Sequence, residues 1–96
     1  MRISEEMRTF FVKEFVSILP DAQVYLFGSR TDDTKKGGDI DVLILGSRKL
    51  EKTELNSVRN KFWQRFGEQK LDLVSFFIEE DNNFKEIALS TSIKLS

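Results

Sequence analysis

The chain has 96 residues, with 15 basic and 16 acidic side chains and a net charge of −1, and it contains neither His nor Cys. This length predicts a single domain, residues 1–96, and the charge balance disfavours a strongly basic nucleic-acid binder. The missing His and Cys exclude disulfides, imidazole or thiolate catalysis and the zinc sites that these residues build. Any catalysis must then use carboxylates, Lys, Arg, hydroxyls, backbone N–H groups or a metal bound by oxygen.

No apolar run approaches the ~20 residues that span a bilayer. The first residues also lack the basic-then-apolar pattern of a signal peptide. We therefore expect a cytoplasmic protein without a membrane partner.

The first half of the chain predicts one helix and two strands. Apolar residues at helical spacing predict a helix over 4–19, with Ser4 at its start and Pro20 after its end. The apolar segment 23–27 predicts a strand, and the polar, glycine-bounded segment 28–38 predicts a loop. Residues 39–45 begin with two carboxylates and are otherwise apolar, which predicts a buried strand.

The second half predicts a helix, a strand and a short last helix. An apolar stripe from Leu50 to Phe66 predicts a helix that ends at Gly67. Residues 70–77 predict a third strand, Asn82 or Asn83 opens a helix through Ala88 or Leu89, and 91–96 form a ragged end or an edge strand. The order predicts a small mixed sheet with helices packed on it, an α+β or α/β fold.

Asp39 and Asp41 are the first candidate site residues. Side chains alternate along a strand, so both carboxylates are expected on one face, close enough to bind one divalent cation. Ile40, Val42 and Ile44 are then expected on the opposite face, in a core. Ligands that are all oxygen favour Mg²⁺ or Mn²⁺. The alternative is structural, with Asp39 in an Asx turn and Asp41 paired with a Lys or Arg.

Gly28, Ser29 and Arg30 directly follow the first predicted strand. A glycine there allows close backbone approach to a ligand, and the following N–H groups and hydroxyl can bind an anion. The guanidinium of Arg30 suits phosphate. A plain turn with a solvated Arg30 is the alternative.

Asp72 interrupts the otherwise apolar third strand. A charged group there is costly unless it is paired or binds a ligand. It would lie beside Asp39 and Asp41 if its strand is their neighbour. Alternatively, Asp72 forms an ordinary ion pair with Lys70.

Together these residues resemble the nucleotidyltransferase superfamily that includes DNA polymerase β. Gly28-Ser29, then Asp39-Ile40-Asp41, then a later acidic residue, Asp72, match its pattern, and the chain is most similar to the minimal bacterial and archaeal members. Those members often occur with a helical HEPN protein. The resemblance covers nearly the whole chain and implies a nucleotidyltransferase-like fold.

The resemblance implies a reaction in which a nucleoside monophosphate, AMP from ATP, moves to a hydroxyl acceptor on a partner protein. Asp39, Asp41 and Asp72 would bind two Mg²⁺ ions, and Asp72 would also accept the proton. Gly28 and Ser29 would bind the β- and γ-phosphates, and Arg30 would offset their charge.

Two other functions stay open at this point. The chain could be an antitoxin-like subunit, with catalysis weak or lost, that masks a HEPN partner. Alternatively, its acids could be structural, or the domain could be a regulatory subunit of a larger assembly. The many aromatic side chains predict an apolar partner surface, and a homo-oligomer is also open. The members of this predicted surface are Phe10, Phe11, Phe15, Phe62, Trp63, Phe66, Phe76 and Phe77.

Overall fold

Three helices and four strands form the part of the chain that the computed structural model describes, residues 3–28 and 39–96. They are α1 (Glu5–Ile18), β1 (Gln23–Phe27), β2 (Ile40–Gly46), α2 (Lys52–Phe66), β3 (Leu71–Phe77), α3 (Asn83–Ser90) and β4 (Ile93–Lys94). This confirms the predicted element order and the α+β fold class. Of the predicted loop, residues 29–38 lie outside the described residues.

The ends of the helices follow from local residue chemistry. The hydroxyl of Ser4 accepts a hydrogen bond from the N–H of Met7 at 3.1 Å, which caps α1. Helix α1 ends one residue earlier than predicted, because Leu19 precedes a proline and takes an extended conformation. Gly67 ends α2 with a φ of 91°, a left-handed value that favours glycine.

The strands form one mixed sheet in the order β3-β2-β1-β4. Strand β1 is antiparallel to both β2 and β4, whereas β2 and β3 are parallel. Helix α2 makes the connection between the two parallel strands, as such crossovers require. Of the two alternatives predicted for residues 91–96, the structure has the edge strand, β4, with Leu26 opposite Ile93.

One face of the sheet carries the main core. Alternate residues of β1, β2 and β3 point to this face and pack against α1 and α2. Buried apolar side chains of this layer include Phe11, Phe15, Val24, Leu26, Ile40, Val42, Ile44, Val58, Phe62, Leu71 and Leu73. The prediction that Ile40, Val42 and Ile44 face the core is confirmed.

The opposite face of the sheet carries a smaller apolar cluster. Leu43, Leu45, Phe76 and Ala88 are buried there, with Tyr25, Phe27, Val74 and Leu89 packed around them. Helix α3 contributes to this cluster through Ala88 and Leu89. Asp41 and Asp72 precede Leu43 and Val74 by two residues, so they lie at one end of this same face.

The predicted aromatic partner surface is wrong for most of its members. Phe10, Phe11, Phe15, Phe62 and Phe76 are buried, and Trp63 and Phe66 pack against the main core. Stacked and edge-on rings join α1 to α2, with Phe11 and Phe62 centroids 5.1 Å apart. Phe77 alone of the eight is exposed. The aromatic richness therefore mainly serves the packing of two helices.

Among the described residues, no helix has the length and apolar character needed to cross a membrane.

Candidate functional site

Asp41 and Asp72 lie side by side on the two parallel strands. Their Cα atoms are register partners, so both side chains point to the face that α3 partly covers. Asp72 is close enough to form a hydrogen bond with Asp41 when one of the two carboxyl groups is protonated. The prediction that the third strand brings Asp72 next to the Asp-x-Asp motif is confirmed for Asp41.

This pairing changes the acidity of Asp41. Its pKa rises from 3.8 to about 6, first because burial penalises the charged carboxylate, and then through the hydrogen bond and the negative charge of Asp72. Asp39 adds further repulsion, and Lys70 opposes the shift. Two carboxyl groups that cannot easily be charged together are suited to a cation between them.

Gly28 follows the last residue of β1 and lies against the carboxyl group of Asp41. Phe27, the last residue of β1, is the antiparallel register partner of Asp41, so the chain leaves the sheet beside that carboxyl group. Gly28 has a φ of 76°, and a Cβ on it would collide with Oδ2 of Asp41. A side chain at this position would therefore be strained by the backbone conformation and would have to displace the Asp41 carboxyl group. Ser29 and Arg30, the other predicted phosphate-binding residues, lie outside the described residues.

Asp39 corrects the predicted strand boundary. Strand β2 begins at Ile40, whose N–H donates the first interstrand hydrogen bond to the carbonyl of Lys70 at 3.2 Å. Asp39 therefore precedes the ladder, and its carboxylate pairs with the Lys70 ammonium at 3.2 Å. This ion pair raises the pKa of Lys70. Lys70 thus pairs with Asp39, whereas sequence reasoning had offered it as a partner for Asp72.

Asp41 and Asp72 are the two side chains of this arrangement that are suited to bind a metal ion. Within residues 3–28 and 39–96, no three acidic, His or Cys side chains form a group that could hold a metal ion. Asp41 and Asp72 nevertheless offer adjacent carboxylate oxygens, which Mg²⁺ and Mn²⁺ prefer. A cation would also offset the repulsion that raises the pKa of Asp41. These residues fit part of a metal site that further oxygen ligands would have to complete.

Sequence reasoning missed Phe27, the register partner of Asp41, and Phe84, whose ring contacts Phe27. The Phe84 ring on α3 meets the Phe27 ring edge-on, with centroids 5.9 Å apart. Phe27 could have been found from the hairpin register, because short antiparallel strands place end residues opposite each other. Nothing in the local pattern distinguishes Phe84 from an ordinary core residue of a short helix.

The family comparison decides what this site belongs to. The model of the nucleotidyltransferase domain family matches residues 8–95, nearly the whole chain. The chain belongs to this family. Membership supports nucleotidyl transfer as its general activity and agrees with the resemblance seen in the sequence. No protein of curated function matches the sequence significantly.

Solved structures share the nucleotidyltransferase fold. One is a toxin–antitoxin complex with AMP-PNP, which is 20% identical, has a TM-score of 0.72, and aligns over 93% of this chain and 72% of its own. Another is a tri-AMPylated Shewanella oneidensis HEPN toxin in complex with MNT antitoxin, at 19% identity and a TM-score of 0.67, over 93% and 68%. A mutant MntA-HpeT toxin–antitoxin complex matches at 19% identity and a TM-score of 0.72, over 98% and 72%.

Proposed function

We propose that this nucleotidyltransferase domain transfers AMP from ATP to a hydroxyl group of a partner protein, with Mg²⁺ or Mn²⁺ as cofactor. The observation that carries the proposal is the register pairing of Asp41 with Asp72 beside Gly28. The family match over 8–95 supports treating residues 1–96 as a single minimal domain.

Each residue of the proposed site has a distinct role. Asp41 and Asp72 would hold the cation, and Asp39 would join them on release from Lys70. Gly28 would bring its backbone close to the triphosphate, with the Ser29 hydroxyl and the Arg30 guanidinium as phosphate ligands. The bound metal would supply charge neutralisation on the triphosphate and a lower pKa for the attacking hydroxyl.

In the proposed reaction, the AMP group would pass directly from ATP to the acceptor, without a covalent bond to this chain. The acceptor oxygen would form a bond to the α-phosphorus, the bond to the β-phosphate oxygen would break, and pyrophosphate would leave. Asp72 would accept the hydroxyl proton. Positioning and electrostatic stabilisation then supply most of the rate enhancement.

The proposed partner is a HEPN-type helical protein. Toxin–antitoxin complexes recur among the structures that share the fold, and one of them contains an AMPylated HEPN toxin. In this proposal, the partner protein supplies the acceptor hydroxyl group.

The test is transfer of radiolabel from α-labelled ATP to the protein encoded by the neighbouring gene, in the presence of Mg²⁺. We expect labelling with the native chain and none with the Asp41→Asn, Asp72→Asn double variant. If no labelling occurs although native chain and partner form a complex, transfer to that partner is refuted.

A masking function is the second candidate, also suggested by the toxin–antitoxin neighbours. A masking function would not need the carboxyl groups of Asp41 and Asp72, whereas AMP transfer would. If the double variant neutralises the partner in cells as well as the native chain does, binding alone suffices. Loss of neutralisation with retained complex formation would favour catalysis.

A further inference from the structure

Four large apolar side chains are exposed within residues 3–28 and 39–96, namely Phe77, Ile78, Phe84 and Ile87. Phe84 is 50% exposed, yet its ring contacts two other aromatic rings. Its centroid lies 5.9 Å from that of Phe27 and 6.2 Å from that of Phe76. Phe84 is therefore supported from beneath and open on its outer side.

The support of Phe84 lies directly beside the acidic pair. Phe27 is the register partner of Asp41, and Asp41 is the register partner of Asp72. All three side chains point to the same face of the sheet, which is the face under α3. A ligand with its phosphates at Gly28 and the acids would have the Phe84 ring on one side of it.

The backbone around Phe84 is firmly anchored. The Asn82 side chain accepts a hydrogen bond from the Lys85 N–H at 3.0 Å and caps α3. The ammonium of Lys85, a residue only 4% exposed, donates to the carbonyls of Ile78 and Glu80 at 2.5 and 2.8 Å. The preceding turn is thus tied to the first turn of the helix, so the half-exposed ring is held in a defined position.

We propose that Phe84, supported by Phe27, is the surface on which the base of the nucleoside triphosphate stacks. This inference rests on the proposed function, because it assumes that a triphosphate binds at Gly28 and the acidic pair. Aromatic side chains bind bases through their π-faces, which every base has. The larger rings of adenine and guanine gain more contact than the pyrimidines. Stacking alone would therefore favour purines and leave ATP and GTP similar in affinity.

The test compares ATP with tripolyphosphate, which has the phosphates and no base, in binding titrations with Mg²⁺. Phe84→Ala should weaken ATP binding about 5- to 150-fold, the range that follows from loss of one base stack. Its affinity for tripolyphosphate should stay at the native value. Phe84→Leu keeps an apolar side chain against Phe27 and Phe76 without a flat ring, and it should lose ATP binding without loss of folding. Phe84→Trp should restore it.

Ile87→Ala is the matched control, because Ile87 lies one turn further along α3 and is 68% exposed. It should bind ATP normally. Native ATP affinity in both Phe84→Ala and Phe84→Leu would overturn the stacking proposal, and so would equal losses for ATP and tripolyphosphate. If both Phe84→Ala and Ile87→Ala weaken only the binding of a partner protein, the patch is a docking surface. Failure of the native chain to bind either ligand would refute the nucleotide site itself, and the stacking proposal with it.

Discussion

Asp41 and Asp72 occupy paired positions on parallel strands, and burial together with the neighbouring Asp72 raises the pKa of Asp41. Such a pair destabilises the metal-free protein at neutral pH, because burial and mutual repulsion both disfavour two negative charges. The arrangement stores an electrostatic cost that a bound cation would relieve.

Asp41→Asn should stabilise the metal-free protein at pH 7. The pKa of Asp41 is raised to about 6 in the folded chain from 3.8, so its ionisation at neutral pH costs stability that an amide does not. We expect a gain of about 1 kcal/mol in the free energy of unfolding, measured by urea denaturation with EDTA. Mg²⁺ should raise the melting temperature of the native chain and not that of the variant. A less stable variant would show that the Asp41 carboxyl group is needed for folding.

Lys70→Met should increase the affinity for Mg²⁺ or Mn²⁺. The variant removes the ammonium that pairs with Asp39 at 3.2 Å, and this carboxylate then becomes available to a cation. Since exposed ion pairs contribute up to about 1 kcal/mol, the increase should be at most about fivefold, measured by calorimetric titration.

Lys61→Met provides the matched control for this experiment. Lys61 pairs with Glu14 at the same distance, 3.2 Å, and joins α2 to α1 on the other layer. The Lys61→Met variant should have the same affinity for the metal ion as the native chain. Equal changes in the two variants would mean that net charge, and not release of Asp39, controls the affinity.

Gly28→Ala should destabilise the protein by more than about 1 kcal/mol, because Ala is strained at positive φ and its Cβ would collide with Asp41. Gly67→Ala isolates the first cost, since Gly67 has a φ of 91° and nothing within 4 Å of an added Cβ. Chemical denaturation of both variants, each also combined with Asp41→Ala, gives the coupling to that carboxyl group. Coupling should be large for Gly28 and absent for Gly67. Equal costs at the two glycines would contradict the close approach.

Glu54→Gln should make stability less dependent on acid pH. Glu54 accepts hydrogen bonds from Arg48 and from the Glu51 N–H, which lower its pKa from 4.5 to about 2. Its contribution is therefore complete above pH 4.5 and disappears as the pH falls through about 2. Because the pair is on the surface, we expect a difference of about 0.5–1 kcal/mol at pH 6 that vanishes near pH 2. A difference that is constant over this range would exclude the ionised carboxylate as its source.

Much of the fold could be predicted because its signals are local. The caps at Ser4 and Asn82, the glycine that ends α2, and the alternation of Ile40, Val42 and Ile44 are encoded within a few residues. The same alternation correctly separated the face of Asp41 from the core face. These patterns were enough to indicate a small mixed sheet and an acidic site at one end of it.

The tertiary structure alone decided which groups meet. Pairing of β2 with β3 starts at Ile40, so Asp39 lies outside the ladder and binds Lys70, while Asp41 meets Asp72. The register of these two parallel strands is set across the intervening helix α2 by core packing and interstrand hydrogen bonds, and no short turn fixes it. For the same reason, sequence alone could not tell the buried ring of Phe76 from the exposed ring of Phe84. Burial depends on which other elements lie above a side chain, and among the described residues the short helix α3 covers part of this face.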